Sequence, residues 1–167
     1  FSARFSLSDR LLEHNPPALL TLRPPRTTAE GLVVENWKNS GAPTVNGRPL
    51  RLTPYEVSRC LAVAPDNHTA LFGTVWHLRL VDGQGRELWH VATPANVWSV
   101  NIAESGQIAA AALADGTIRW YRMADGQELL ALFPQPESKR WVAWTASGYY
   151  DAGPGSETLL GWHKNYG

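Results

Sequence analysis

One cysteine and one methionine stand in 167 residues. A single thiol, Cys60, excludes an internal disulfide and any Cys-x-x-Cys metal or redox motif. It fits a reducing compartment, so the expected location is the cytoplasm. No run of about 18 or more apolar residues occurs, which excludes a transmembrane helix and gives no reason to expect a membrane partner. An excess of charge is also missing. Lys+Arg and Asp+Glu each number 15, for a formal net charge of zero, so there is no electrostatic footprint for nucleic acid. Nothing after Phe1-Ser2-Ala3-Arg4 has the apolar stretch of a signal peptide. Helical periodicity is absent throughout.

What the chain does contain is one pattern stated twice. CLAVAPDNHTALFGTVWHLRLVDGQGRELWHV runs from Cys60 to Val91, and SVNIAESGQIAAAALADGTIRWYRMADGQELLAL from Ser99 to Leu132. Leu61 and Val63 match Val100 and Ile102 at an offset of 39, Leu78 matches Ile118 at 40, and Glu87-Leu88 matches Glu128-Leu129 at 41. A period of about 40 residues built from four short strands is the signature of a β-propeller blade. In the first copy Cys60–Ala64 is an apolar run suited to an inner strand covered on both faces. Pro65-Asp66-Asn67 then turns the chain, Thr69–Gly73 and Trp76–Val81 form the next strands, Asp82-Gly83 makes a hairpin, and Glu87–Val91 is the outer strand. The second copy repeats this with Ala109–Leu113, Asp115-Gly116, Thr117–Met123, Asp125-Gly126 and Glu128–Leu132.

The flanks are less regular. Ala3–Leu7, Leu19–Arg23 and Gly31–Trp37 are expected strands, and Asn46-Gly47 marks a tight turn. A third unit starts at Trp141-Val142-Ala143-Trp144-Thr145, with Tyr149-Tyr150-Asp151 opening a second strand and Thr158–His163 expected as a third. The expected division is a divergent or partial blade over 1–55, blades over 56–94 and 95–136, and a partial blade over 137–167. The fold class is therefore all-β: propeller blades of four-stranded antiparallel sheets, about three and a half of them, where closed rings have about four to eight. The expectation is a piece of a larger propeller.

The stretches ENWKNSGAPTVNGRPLRL, SRCLAVAPD, DGTIRWYRMADGQELLALF and, most specifically, RWVAWTASGYYDAGPGSETLLGWHKN resemble the C-terminal WD40-type repeat region of bacterial multidomain proteins that carry a caspase-like peptidase domain upstream. The resemblance covers roughly residues 32–167. It implies a propeller that recognises protein partners and positions a peptidase domain lying outside this sequence. The sequence also departs from that pattern. The Gly-His dipeptide of WD40 repeats is missing, and the closing Trp-Asp is Val81-Asp82 in one copy and Tyr121-Arg122 in the other. The side-chain network those residues form is thus not expected, which leaves apolar packing and Asp-Gly turns to hold the blades.

Few residues suit catalysis. Cys60 opens an apolar strand, where a thiol acts as a small hydrophobe. His68, His77, His90 and His163 are scattered, without metal-ligand spacing. Glu104, Asp115, Asp125 and Asp151 mostly sit in turns, where local hydrogen bonding explains them. No cofactor is expected. GRELWHV and DGTIRWYRMADGQEL also look like repeats of quinoprotein-type propellers from dehydrogenases, the alternative reading. Among the aromatics, Trp76, Trp98, Trp120, Trp141 and Trp144 are expected to pack between blades, with Trp37 and Trp89 more exposed. Arg79 and Arg119 occupy matching positions and are expected to pack their stems between blades.

The resulting expectation is a non-catalytic protein-interaction and scaffolding module. Its partner contacts are placed on the loops Ala92–Asn96 and Pro134–Lys139 and the turns Thr74–Val75 and Ala114–Asp115, with Asn96, Gln135, Lys139 and Asp115 as candidate binding residues. Open blade faces and edges are expected to promote self-association.

Overall fold

The structure, a computed structural model, describes residues 2–17 and 23–161. It is all-β, with antiparallel sheets and, among the described residues, only two short 3-10 turns, at Pro136–Ser138 and Glu157–Leu159. No helix is long and apolar enough to cross a membrane.

The first clear repeat forms a four-stranded meander: β6 (Ser58–Val63), β7 (Thr69–Thr74), β8 (His77–Asp82) and β9 (Glu87–Ala92). Each strand pairs with the next, as the hairpin turns dictate. The second repeat, β10 (Val97–Ile102), β11 (Ile108–Leu113), β12 (Ile118–Arg122) and β13 (Glu128–Gln135), has the same meander. These are two propeller blades. Strand alternation assigns Cys60, Ala62, Leu71, Leu78 and Leu80 to one face of the first blade, and this face packs on Val97, Val100, Ala109, Ala111, Tyr121 and Met123 of the second. Burying such facing rows at ~25 cal/mol per Å² is the main force joining the blades.

Both far faces are covered by the N-terminal region. A small sheet of β3 (Val34–Glu35), β4 (Thr44–Val45) and β5 (Arg48–Pro49) brings Val45, with neighbouring Leu32 and Leu50, onto Leu61, Val63, Phe72 and Val81. A hairpin of β1 (Ala3–Ser6) and β2 (Leu11–His14) lays Leu12 and Phe5 against Leu132, Trp141 and Ala143 of the second sheet. Residues 23–26 lie along the inner strands: Val63 N–H donates to the Arg26 carbonyl (2.7 Å), and Asn101 Nδ2 donates to the Arg23 carbonyl (3.1 Å). Among the described residues, the far faces of both blades thus carry apolar cover from the N-terminal region.

Three further differences from the sequence expectations stand out. Within Gly31–Trp37 only Val34–Glu35 is strand, because Asn36 adopts a left-handed φ of 52° and breaks the extended run. The expected strand Leu19–Arg23 falls largely outside the described residues, as does the end of Thr158–His163. The start of the latter is the 3-10 turn Glu157–Leu159. Finally, β14 (Arg140–Trp144) and β15 (Tyr150–Ala152) do not begin a new sheet. β14 pairs antiparallel with β13, and β15 with β14, so the second sheet has six strands.

Candidate functional site

One end of the blades, hereafter the rim, is where the chain enters each inner strand and where the second strand turns into the third. At the rim of the first blade a carboxylate is buried. Glu56 has a side chain with no exposed surface, and each of its oxygens accepts three hydrogen bonds. Oε1 accepts from Thr74 Oγ1 (2.6 Å), His77 Nδ1 (3.1 Å) and Arg79 Nε (2.9 Å). Oε2 accepts from Arg79 Nη2 (2.7 Å), Thr53 Oγ1 (2.6 Å) and Thr53 N–H (3.0 Å). Arg79 is itself buried and bonds Glu87 through its other terminal nitrogen. Burial pushes the Glu56 carboxyl upward, but the bonds from Arg79, Thr53 and Thr74 outweigh it and hold the pKa well below the usual carboxylate range. Burial likewise disfavours charge on Arg79, and Glu56 with Glu87 raises its pKa above the ordinary value.

This network corrects the expectation that apolar packing and turns alone hold the blades. Arg79 and Arg119 do share a role, but it is ionic: Arg119 bonds Glu128 (2.8 Å), as Arg79 bonds Glu87. Glu56 has no counterpart in the second blade. The paired bonds Val75 N–H to Val57 carbonyl and Ala114 N–H to Asn96 carbonyl align Val57 with Asn96, so the position of Glu56 is held by Ala95.

The same network fixes what the rim presents. Thr53 and Glu56 close a turn through Glu56 N–H to the Thr53 carbonyl (3.0 Å), with Tyr55 at a left-handed φ of 66° and 93% exposed. Such a φ is unusual for an aromatic residue and is held here by the bonds on either side. Thr74 Oγ1, while donating to Glu56, accepts from Trp76 N–H (3.2 Å) and His77 N–H (2.9 Å), which fixes the two-residue turn that carries Trp76. Trp76 is 45% exposed. On the inner strands a β-bulge at Arg59 interrupts the β6–β7 register, and one at Trp98 interrupts the β10–β11 register. A bulge turns one side chain out of the alternation. Trp98 is 57% exposed, with the Arg59 guanidinium 5.7 Å from its ring centre. Arg59 is held in turn by Asn39 Oδ1 (2.9 Å).

The tryptophans thus sort differently from expectation. Trp141 is buried and Trp120 packs in the same cluster. Trp76 and Trp98 face solvent, because a turn and a bulge remove them from the blade interface. Trp89 instead packs inward, donating its indole N–H to the Met123 carbonyl (2.8 Å), and Trp37 packs on the first blade's far face. The sequence carried a signal for this. Trp98 falls 39 residues after Arg59, and a position occupied by Trp in one copy and Arg in the other suits a surface better than a core.

The four candidate binding residues lie at the same rim of the second sheet. Asn96 is half-buried and bonded through its carbonyl to the turn containing Asp115. Asp115 Oδ1 accepts from Thr117 N–H (2.9 Å). Gln135 ends β13 and accepts from Arg140 (2.8 Å), while exposed Lys139 caps the 3-10 turn with a left-handed φ of 56°. Among the described residues, the candidate catalytic groups do not gather. The buried Cys60 thiol is pushed up to about 12 by burial, against a backbone contact to Gly73 that lowers it, so it is not an available nucleophile at neutral pH. His77 and His90 approach edge to face at 5.4 Å. Even so, no group of three or more metal-ligating side chains occurs among the described residues. Glu104 pairs with Arg23, Asp151 with Arg10, and Asp125 caps its own turn.

No family model matches the chain, and no curated protein matches it. Solved structures similar to the chain include one described as the structure of U3-55K and another as the crystal structure of the RRP9 WD40 repeats. Each is 16% identical, with a TM-score of 0.46, over 62% of this chain. The chain spans only 40% of the length of either. The blade assignment rests on the two meanders and their face-to-face packing.

Proposed function

We propose that this chain is a non-catalytic, protein-binding propeller segment whose contact surface is the rim formed by Tyr55, Trp76, Trp98 and Arg59. The observation that carries this reading is the exposure of three large aromatics at 93%, 45% and 57%, Tyr55 and Trp76 on backbone fixed by a buried, fully bonded carboxylate and Trp98 turned outward by a bulge. Aromatic residues and arginine dominate the binding energy of protein interfaces, and rigid presentation lowers the entropy lost on docking. Asn96 and Asp115 adjoin this surface, and Gln135 and Lys139 extend it along the second sheet.

Selection of binding peptides from a displayed library tests the reading. Peptides enriched on the protein should lose binding to a Tyr55→Ala/Trp76→Ala/Trp98→Ala variant, and to a lesser degree to Asn96→Ala/Gln135→Ala/Lys139→Ala. Equal retention by both variants would remove the rim from consideration. The narrower proposal, a place beside a caspase-like peptidase domain in a longer bacterial protein, rests on the resemblance of the RWVAWTASGYYDAGPGSETLLGWHKN stretch. Sequencing the gene on both sides of this segment tests it. Nothing in the arrangement of acidic side chains favours the quinoprotein alternative.

A further inference from the structure

The two blades are built alike, yet their outer strands end differently. In the second blade β13 carries a fifth strand, β14, in antiparallel register: Ala131 opposite Trp144, Leu132 opposite Ala143, Phe133 opposite Val142. In the first blade the sheet order ends at β9. The chain leaves that strand through Thr93–Asn96 and crosses directly to β10, and among the described residues no strand pairs with the outer edge of β9.

Repeat symmetry makes the two edges comparable residue by residue. An offset of 41 places His90 at Ala131, Val91 at Leu132 and Ala92 at Phe133. Both outer strands also carry their register shift at the same step, between Leu80/Val81 and between Trp120/Tyr121, and run regularly beyond it. Thr93 N–H donates to the Trp76 carbonyl (2.8 Å). Alternation along the β8–β9 register then turns the N–H and C=O of Val91 toward β8 and those of His90 and Ala92 away from it. These outward groups stand where Ala131 and Phe133 meet β14. Edge strands are usually blunted by lysine, proline or shortness. β15, at the end of the other sheet, has three residues and an aspartate. β9 has no proline or lysine, its acidic residue, Glu87, stands at its start and is paired with Arg79 and His90, and Leu88 is 52% exposed.

We infer that the edge of β9 is a second docking site, which takes an extended antiparallel segment of a protein partner with the aromatic–aliphatic–small–aromatic pattern that Trp141–Trp144 shows on the equivalent edge. In that register the last aromatic lies opposite His90 and the aliphatic residue opposite Ala92. Backbone pairing supplies affinity and the alternating side chains supply selectivity.

A fluorescent peptide of residues 138–147 serves as the probe, titrated into the full chain. Saturable one-to-one binding is expected, with slowed hydrogen exchange at the His90 and Ala92 amides. Ala92→Pro removes only an outward N–H and leaves the β8–β9 ladder intact. It should weaken binding about tenfold, the equivalent of roughly one hydrogen bond. Three results would each overturn the inference: no saturable binding, binding undiminished in Ala92→Pro with unchanged exchange at His90 and Ala92, or a peptide-free dimer that protects those amides. The last result would identify a second copy of this chain as the occupant.

Discussion

Glu56 sets the behaviour of the first blade more than any other side chain. It is a buried charge whose six hydrogen bonds and arginine partner compensate its desolvation, and removing one member of such a pair leaves the other uncompensated. Glu56→Gln should cost about 3 kcal/mol by chemical denaturation, at the lower end for a broken buried pair because Arg79 keeps Glu87. The pH dependence follows from the depressed carboxyl. Its contribution is complete above the ordinary carboxyl value of about 4.3 and drains away as pH falls from there toward the folded value. Melting temperatures measured from pH 7 to pH 3 should therefore drop more steeply for the native chain than for Glu56→Gln. Parallel curves would show that Glu56 is not the group responsible. None of this was legible in the sequence, because Glu56 stands at the start of the repeat where the second copy has Ala95, so comparison of the two copies gives no signal there.

At the scale of strands and turns, the repeats announced themselves through matched apolar positions and Asp-Gly pairs, and the meanders follow them closely. Bulges and packing against a neighbouring chain segment did not. A bulge at Trp98 is a one-residue departure in register that its own strand does not mark, and the signal lies only in its mismatch with Arg59 of the first copy. Glycines show the same division. Gly47 and Gly126 both adopt a φ of 74°, so either would strain with a side chain. At Gly47 an added Cβ meets nothing, whereas at Gly126 it would lie 2.8 Å from Trp89 and 2.9 Å from Val91. Gly47→Ala should cost about 1 kcal/mol and Gly126→Ala about 2–4 kcal/mol, the excess being overpacking between blades. Equal losses in denaturant titrations would mean that the interface yields freely around Trp89.

For the molecule as a whole, the N-terminal region closes what the repeats leave open. The sequence suggested a divergent or partial blade over residues 1–55. In that region a three-stranded sheet and a separate hairpin sit on opposite sides of the two-blade stack. Deleting residues 1–14 should uncover Trp141, Leu132 and Trp120, an apolar patch of the kind that drives association. Light scattering is expected to show larger species for the truncated chain than for the full one at equal concentration. Identical profiles would show that the hairpin shields nothing of consequence.

The hairpin's placement also sets an order in time. Leu12 rests on Leu132, Trp141 and Ala143, residues that follow it by 120 or more positions. At about 5–20 residues per second of synthesis, the hairpin waits on the order of ten seconds before its resting place exists. It is therefore made well before it can be held, and in that interval Phe5 and Leu12 are open to a chaperone or to another nascent chain.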